Sequence, residues 1–334
     1  MRRLFVNISL AILLLAVLPG CRRRPLEDPD YRTLVKVKVD ISGISNVTCD
    51  IYNDKIPVPK IGPEAMHLMF FGEDASSTAA EAFITDVATG ADGSRTISGE
   101  LVVAPGTYRL LAYDFGTEAT LVRNYNIWDE AEAYRESAPK GIQNRFRSRS
   151  GEPFNILEEP DHLVVAASER EVIPYHEGIY TIYAQARSVV ESWYLQIKVD
   201  GLEYVSSAQA VLSGMVGSNL IATNTRVTEP EAAIWFNLQK SDDKGVPVIC
   251  TVFGTFGRID RSTNNLEVTF NIQTTDGKTV VRTFDISGLF ETENAIRHHW
   301  LLLDETIKID PPQTGGGFDP KVDDWDEEHH DVII

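Results

Sequence analysis

The stretch LEVTFNIQTTDGKTVVRTFDI, Leu266 to Ile286, decides the fold class. Leu266, Val268, Phe270 and Ile272 alternate with Glu267, Thr269 and Asn271, the period of two that sets one face of a strand in a core and the other in water. Asp276-Gly277 then supplies a turn in which glycine accepts the positive φ of a tight hairpin, and VVRTFDI returns antiparallel. The alternation recurs upstream, in Val35, Val37 and Val39 with Lys36 and Lys38, and in Leu195, Ile197 and Val199 with Gln196 and Lys198. Turn dipeptides at Asp92-Gly93, Pro105-Gly106 and Asp200-Gly201 separate such runs. Short strands with regular turns predict an all-β sandwich. Helix is expected only over Trp128 to Ser137, where Asp129, Glu130 and Glu132 would favour a helix N-terminus.

The chain has 334 residues, 43% hydrophobic and 24% charged, which is ordinary globular composition and room for two domains of about 150 residues. Its 31 basic and 49 acidic residues give a formal charge of −18, the wrong sign for attracting phosphates, so nucleic acid is excluded as a partner. Three cysteines are too few for a disulfide scaffold.

The first residues set the compartment. Arg2 and Arg3 precede a mostly apolar run from Leu4 to Leu18, the pattern of a secretory signal. That run is shorter than the roughly 20 residues a membrane-spanning helix needs. The tetrapeptide LPGC at positions 18 to 21 resembles a bacterial lipobox. The resemblance implies cleavage between Gly20 and Cys21, a diacylglyceryl group on the Cys21 thiol and acylation of the new N-terminus. Each buried methylene contributes about 0.8 kcal/mol, and two or more chains hold a protein stably on a bilayer. Arg22, Arg23 and Arg24 would add about 1 kcal/mol each near an anionic leaflet, and read equally well as a solvated tether. Losing residues 1–20 removes two positive charges and takes −18 to −20.

The breaks in pattern divide the chain. Residues 1–20 form the signal peptide, 21–32 a lipidated tether, 33–187 an N-terminal domain and 188–310 a C-terminal domain. Residues 311–334 are a Gly/Pro linker, PPQTGGG, and an acidic tail with seven carboxylates against Lys321. Residues 138–161 are expected to be a long surface loop.

Catalytic signals are scarce. His298-His299 and His329-His330 are adjacent, and neighbours on a strand face opposite ways, so they read as surface histidines rather than metal chelates. HExxH, GxSxG and a phosphate-cradling Gly-rich loop are all missing. Cys49 and Cys250 read as buried thiols. The cluster Asp323, Asp324, Asp326, Glu327 and Glu328 lacks the spacing and central glycine of a calcium loop. Trp128, Tyr134, Trp193, Trp235 and Trp325 could stack on sugars, though most fit a core better. RFRSRS, Arg145 to Ser150, is a basic loop segment that reads as solvated. No catalytic residue, metal or cofactor is expected.

Three segments carry a family resemblance: LVVAPGTYRLLAYDFGTEATLVRN (Leu101 to Asn124), VSSAQAVLSGMVGS (Val205 to Ser218) and GGGFDPKVDDWDEE (Gly315 to Glu328). With the lipobox, they resemble FimB-type lipid-anchored fimbrial anchor and minor-subunit proteins of Bacteroides-like bacteria. The resemblance implies two tandem transthyretin-like β-sandwich domains and no enzyme. It also implies an outer-membrane lipoprotein facing the cell surface that anchors or caps a fimbrium, in a family whose subunits join by strand exchange. A strand of a shaft subunit added to an exposed sheet edge, rather than to the tail, is the contact expected here. The arginines after Cys21 depart from surface-exported relatives, which often carry acids there. The competing expectation is a surface glycan-binding lipoprotein with two or three exposed, coplanar aromatic rings. A third is a secreted hydrolase with perturbed carboxylates, or a nucleophile beside a base, in a cleft.

Overall fold

A computed structural model describes residues 31–42, 44, 62–74, 76–146, 155–259 and 266–312. Gly20, Cys21, Arg22 to Arg24, Cys49, Trp325, His329, His330 and the acidic tail lie outside the described residues, as does the end of RFRSRS.

The chain is all-β and sandwiched, as the alternation requires. The first sheet runs, in spatial order, β11 (Ile179–Gln185), β1 (Thr33–Asp40), β5 (Arg95–Val103) and β4 (Asp86–Thr89). β1 pairs antiparallel with β5 over eight positions and parallel with β11 over seven, from Leu34 opposite Ile179 to Asp40 opposite Gln185. The second sheet runs β12 (Arg187–Ser188), β10 (Val164–Ile173), β6 (Gly106–Asp114), β2 (Met66–Phe71) and β3 (Thr78–Ile84). Val35, Val37 and Val39 face Leu68, Phe70, Leu110 and Val164 in the core between these sheets. Residues such as these contribute about 1.5–3 kcal/mol each on full burial.

A larger sheet follows, in the order β20 (Thr279–Asp285), β19 (Glu267–Thr274), β14 (Val205–Met215), β17 (Ala232–Asp243), β18 (Val246–Thr255), β13 (Glu191–Asp200) and β21 (Trp300–Lys308), with β9 (Asn155–Glu158) beside β17. β17 pairs β14 through Ala232 to Leu238 and β18 through Gln239 to Asp243, so the sheet folds over along it. Leu195, Ile197, Phe236, Phe253, Phe270 and Leu301 fill the space enclosed, with Phe236 and Phe253 stacked at 4.3 Å. β19 and β20 form the hairpin read from Leu266 to Ile286, and Gly277 has φ 84. A small sheet of β16 (Thr225–Val227), β15 (Ser218–Leu220), β8 (Glu132–Tyr134) and β7 (Leu121–Arg123) completes the strands. A further cluster joins the second sheet to residues that follow β12. Met69, Phe71, Leu111 and Val165, on the outer face of the second sheet, pack with Trp128, Val190, Val216, Ile221 and Phe256.

Three local expectations are corrected. Trp128 to Ser137 is not a helix: a single 3₁₀ turn, Trp128–Glu130, leads into β8. Ala131 and Ala133 are both fully buried, a spacing of two, and β8 is paired on both sides by β7 and β15, which overrides the helix propensity of alanine. Residues 138–161 hold α1 (Lys140–Arg145) and β9, whose Ile156 and Leu157 are buried beside β17. His298 and His299 are not on a strand. His298 ends α2 (Glu293–His298), and His299 caps it at φ 58.

Candidate functional site

Among the described residues, a polar cavity and an exposed edge strand are candidate sites. The first is a cavity of about 580 Å³ lined by residues 159–162, Ser192 and parts of β17 and β18. Burial pushes the Glu159 carboxyl up to about 7, against the opposing pulls of the Gly254 N–H at 3.4 Å and of Arg135. Asp161 accepts backbone N–H groups from Glu118, Ala119 and Thr120 at 2.8, 3.0 and 2.6 Å. Burial alone would raise its pKa, and these bonds with that from the Thr120 hydroxyl outweigh burial, so it is lowered.

Ser192 Oγ lies 3.1 Å from His162 Nε2, a nucleophile beside a base in form. A serine nucleophile needs that base oriented by an acid on its other ring nitrogen. His162 Nδ1 is buried without a partner among the described residues, Asp161 is committed to three backbone groups, and Ser192 is 2% exposed. The pair therefore fastens residues 159–162 to β13 and offers no accessible oxygen for acyl transfer.

The aromatic and histidine candidates are occupied by packing. Trp128 is buried beneath the Arg109 guanidinium, 5.0 Å from its ring. Trp193 is buried and stacked on His299 at 4.5 Å. Trp235 packs against Ile142 and Ala233, and Tyr134 lies under Arg123 at 4.8 Å. His298 stacks on Trp300, and His299 Nδ1 lies 3.0 Å from the Ser192 carbonyl, so the two neighbours serve different contacts. Cys250 is buried on β18, as expected. Among the described residues no group of three His, Cys, Asp or Glu side chains could hold a metal.

The second place is the edge strand β11, IYTIYAQ, which sequence reasoning did not single out. Ile182 faces the core, whereas Ile179 and Tyr183 are 50% and 75% exposed. Lys38 of β1 sits 5.8 Å from the Tyr183 ring, and a depression of about 300 Å³ lined by Lys38, Asp40, Thr96, Tyr183, Ala184 and Gln185 lies at the strand's end. Protein edges are usually protected by charge, proline or bulges. Among the described edge strands, β20 carries Arg282 and Asp285, β21 carries Asp304, Glu305 and Lys308, and β3 carries Glu81. β11 has seven residues with no charge, proline or glycine, and among the described residues its main chain pairs on one side only, with β1. A bare edge of this kind can accept another strand, with main-chain bonds giving affinity and alternate side chains selectivity.

The model of a domain of unknown function, DUF5119, matches residues 20–237. The chain belongs to this family. It is 22% identical over 348 residues to a candidate fimbrium anchoring subunit, Fim4B, of Bacteroides ovatus, covering 94% of this chain and 93% of that one. The fimbrial-anchor resemblance of the three sequence segments is borne out by this relative. In fold, the chain is similar to the crystal structure of a candidate adhesin from Bacteroides ovatus, at TM-score 0.57 and 20% identity, covering 89% of this chain and 99% of that one. It is also aligned with the fimbrial anchor protein Mfa2 from Porphyromonas gingivalis, at TM-score 0.46 and 12% identity, over 79% of this chain and 85% of that one.

Proposed function

We propose that the chain is a lipid-anchored anchoring or accessory subunit of a fimbrium, and that it takes up a strand of a shaft subunit at the β11 edge. The observation that supports this most is the match to a candidate fimbrium anchoring subunit along nearly the whole of both chains. The uncharged edge of β11 supports strand addition as the mode of attachment. In this reading Cys21 carries the acyl chains after cleavage behind Gly20, and the body sits at the outer membrane facing the cell surface. It consists of two transthyretin-like sandwiches divided near Arg187. Its role is structural rather than enzymatic.

The test replaces Thr181 and Tyr183 with lysine in cells that make the filaments. Placing charge on the edge is expected to leave the chain folded and membrane-bound while filaments are shed into the medium. Retention of filaments by this variant, with their loss on deletion of residues 319–334, would put the contact in the tail and overturn the edge reading. Lipidation is checked separately by labelled palmitate: incorporation lost in Cys21→Ala is expected, and no incorporation in the parent chain would sink it.

A further inference from the structure

A different surface lies on the outer face of the second sheet. Phe83 of β3 and Tyr113 of β6 are the register partners of His67 of β2, so the three side chains form one row across the sheet. Phe83 stacks on His67 with 4.6 Å between ring centres, Tyr113 meets it edge-on at 5.5 Å, and Tyr125 and Phe115 close around it at 5.7 and 6.4 Å. His67 and Tyr113 are buried, whereas Phe83, Phe115 and Tyr125 are 58%, 59% and 44% exposed. Three large rings left in water around a buried pair are an unpartnered apolar surface.

Two carboxylates, Asp114 and Glu81, stand beside these rings. A cavity of about 220 Å³ opens between Tyr113, Asp114, Phe115, Leu121 and Tyr125. Asp114 is 9% exposed and accepts the Gly116 N–H through Oδ1 at 2.8 Å. Burial, with repulsion from Asp161 and Glu64, pushes its pKa up to about 6, although the Gly116 bond opposes this. Glu81 reaches His67 Nε2 at 3.1 Å with its side chain 59% exposed. Among the described residues no lysine or arginine pairs with Asp114 or Glu81. A cation held over ring faces is attracted by their quadrupole, and a desolvated carboxylate strengthens that attraction.

We propose that this aromatic and acidic surface receives a lysine or arginine side chain of a protein partner, stacked over Phe115 and Tyr125 and directed at Asp114. The ring geometry argues against a sugar, because Phe83 and Phe115 are tilted by 59° and give no flat platform. The proposal does not depend on the β11 edge, which belongs to the other sheet.

The test titrates blocked tetralysine into the full chain at low salt, followed by calorimetry, with tetraglutamate and maltohexaose in parallel. Saturable binding of tetralysine is expected, weakened at least fivefold by Asp114→Asn and by the double change Phe115→Leu with Tyr125→Leu. The leucines keep apolar bulk, and circular dichroism checks the fold. Glu81→Gln, at an exposed side chain, is expected to weaken binding about twofold and serves if Asp114→Asn fails to fold. Glu100→Gln, on the first sheet, is expected to leave binding unchanged. Equal tetralysine binding by the parent chain and the ring variants would overturn the site. So would maltohexaose binding that the same variants abolish.

Discussion

Asp161 shows how one side chain can organise a segment. Asp161→Ala leaves the N–H groups of Glu118, Ala119 and Thr120 without their acceptor, and is expected to lower stability by about 2–4 kcal/mol in urea melts. Glu159 acts through pH. Its folded pKa, about 7, lies above its ordinary value near 4.5, so the unfolded chain releases this proton first as pH rises. Stability is expected to fall between about pH 4.5 and 7 and to be flat above that. Glu159→Gln should remove the fall and gain up to about 3 kcal/mol at pH 8 relative to pH 5. Neither role was legible in the sequence, because 49 acidic residues carry no mark of which are buried or bonded. Trp193 and Cys250 were legible as core, since each sits in an apolar alternating run. Cys21 and Gly20 rest on the lipobox pattern alone, which lies outside the described residues.

At the scale of elements, the Asp-Gly turns at Gly93, Gly201 and Gly277 share φ 84, and Gly201 and Gly277 differ in surroundings. A Cβ at Gly277 meets nothing within 4 Å, so Gly277→Ala is expected to cost only the left-handed backbone penalty of about 1–2 kcal/mol. A Cβ at Gly201 runs into the Ile309 carbonyl, so Gly201→Ala is expected to cost more, and paired thermal melts measure the difference. The hairpin around Gly277 was legible because its strands alternate strictly and its turn is local. β8 was not, because its alanines and acids satisfy helix propensity as readily as a period of two, and only the pairing of Val122 with Ala133 and of Ala133 with Asn219 decides between them. α2 is six residues long, and although the Thr292 hydroxyl accepts the Ala295 N–H at 3.2 Å, so short a helix has no periodicity to read. The bareness of β11 meant nothing until its place at a sheet edge was known. Its partner β1 lies more than 140 positions away, and such parallel pairings leave no local trace in a sequence.

For the molecule as a whole, the cluster shared by both halves predicts common behaviour. Phe71 is fully buried in it from the second sheet, opposite residues such as Val216 and Phe256. Phe71→Ala is expected to cost about 3–5 kcal/mol. Hydrogen exchange should quicken in β2 and also in β15 and β18, because the cavity opens on both sides of the seam. An effect confined to β2 and its neighbours would show the halves to be energetically separate. The overall class was legible from alternation and turns, whereas the folding of the large sheet along β17 was not, since nothing in AAIWFNLQKSDD marks where one partner gives way to the other.

The place of β1 in its sheet has a mechanical consequence. In a chain tethered at its N-terminus, tension enters at Thr33 and runs along β1, which is clamped lengthwise between β5 and β11. Its main-chain bonds are then sheared together rather than unzipped one by one. A filament seated on β11 would receive the load one strand away, so the line of force from bilayer to filament would cross a single sheet and leave the rest of the molecule slack.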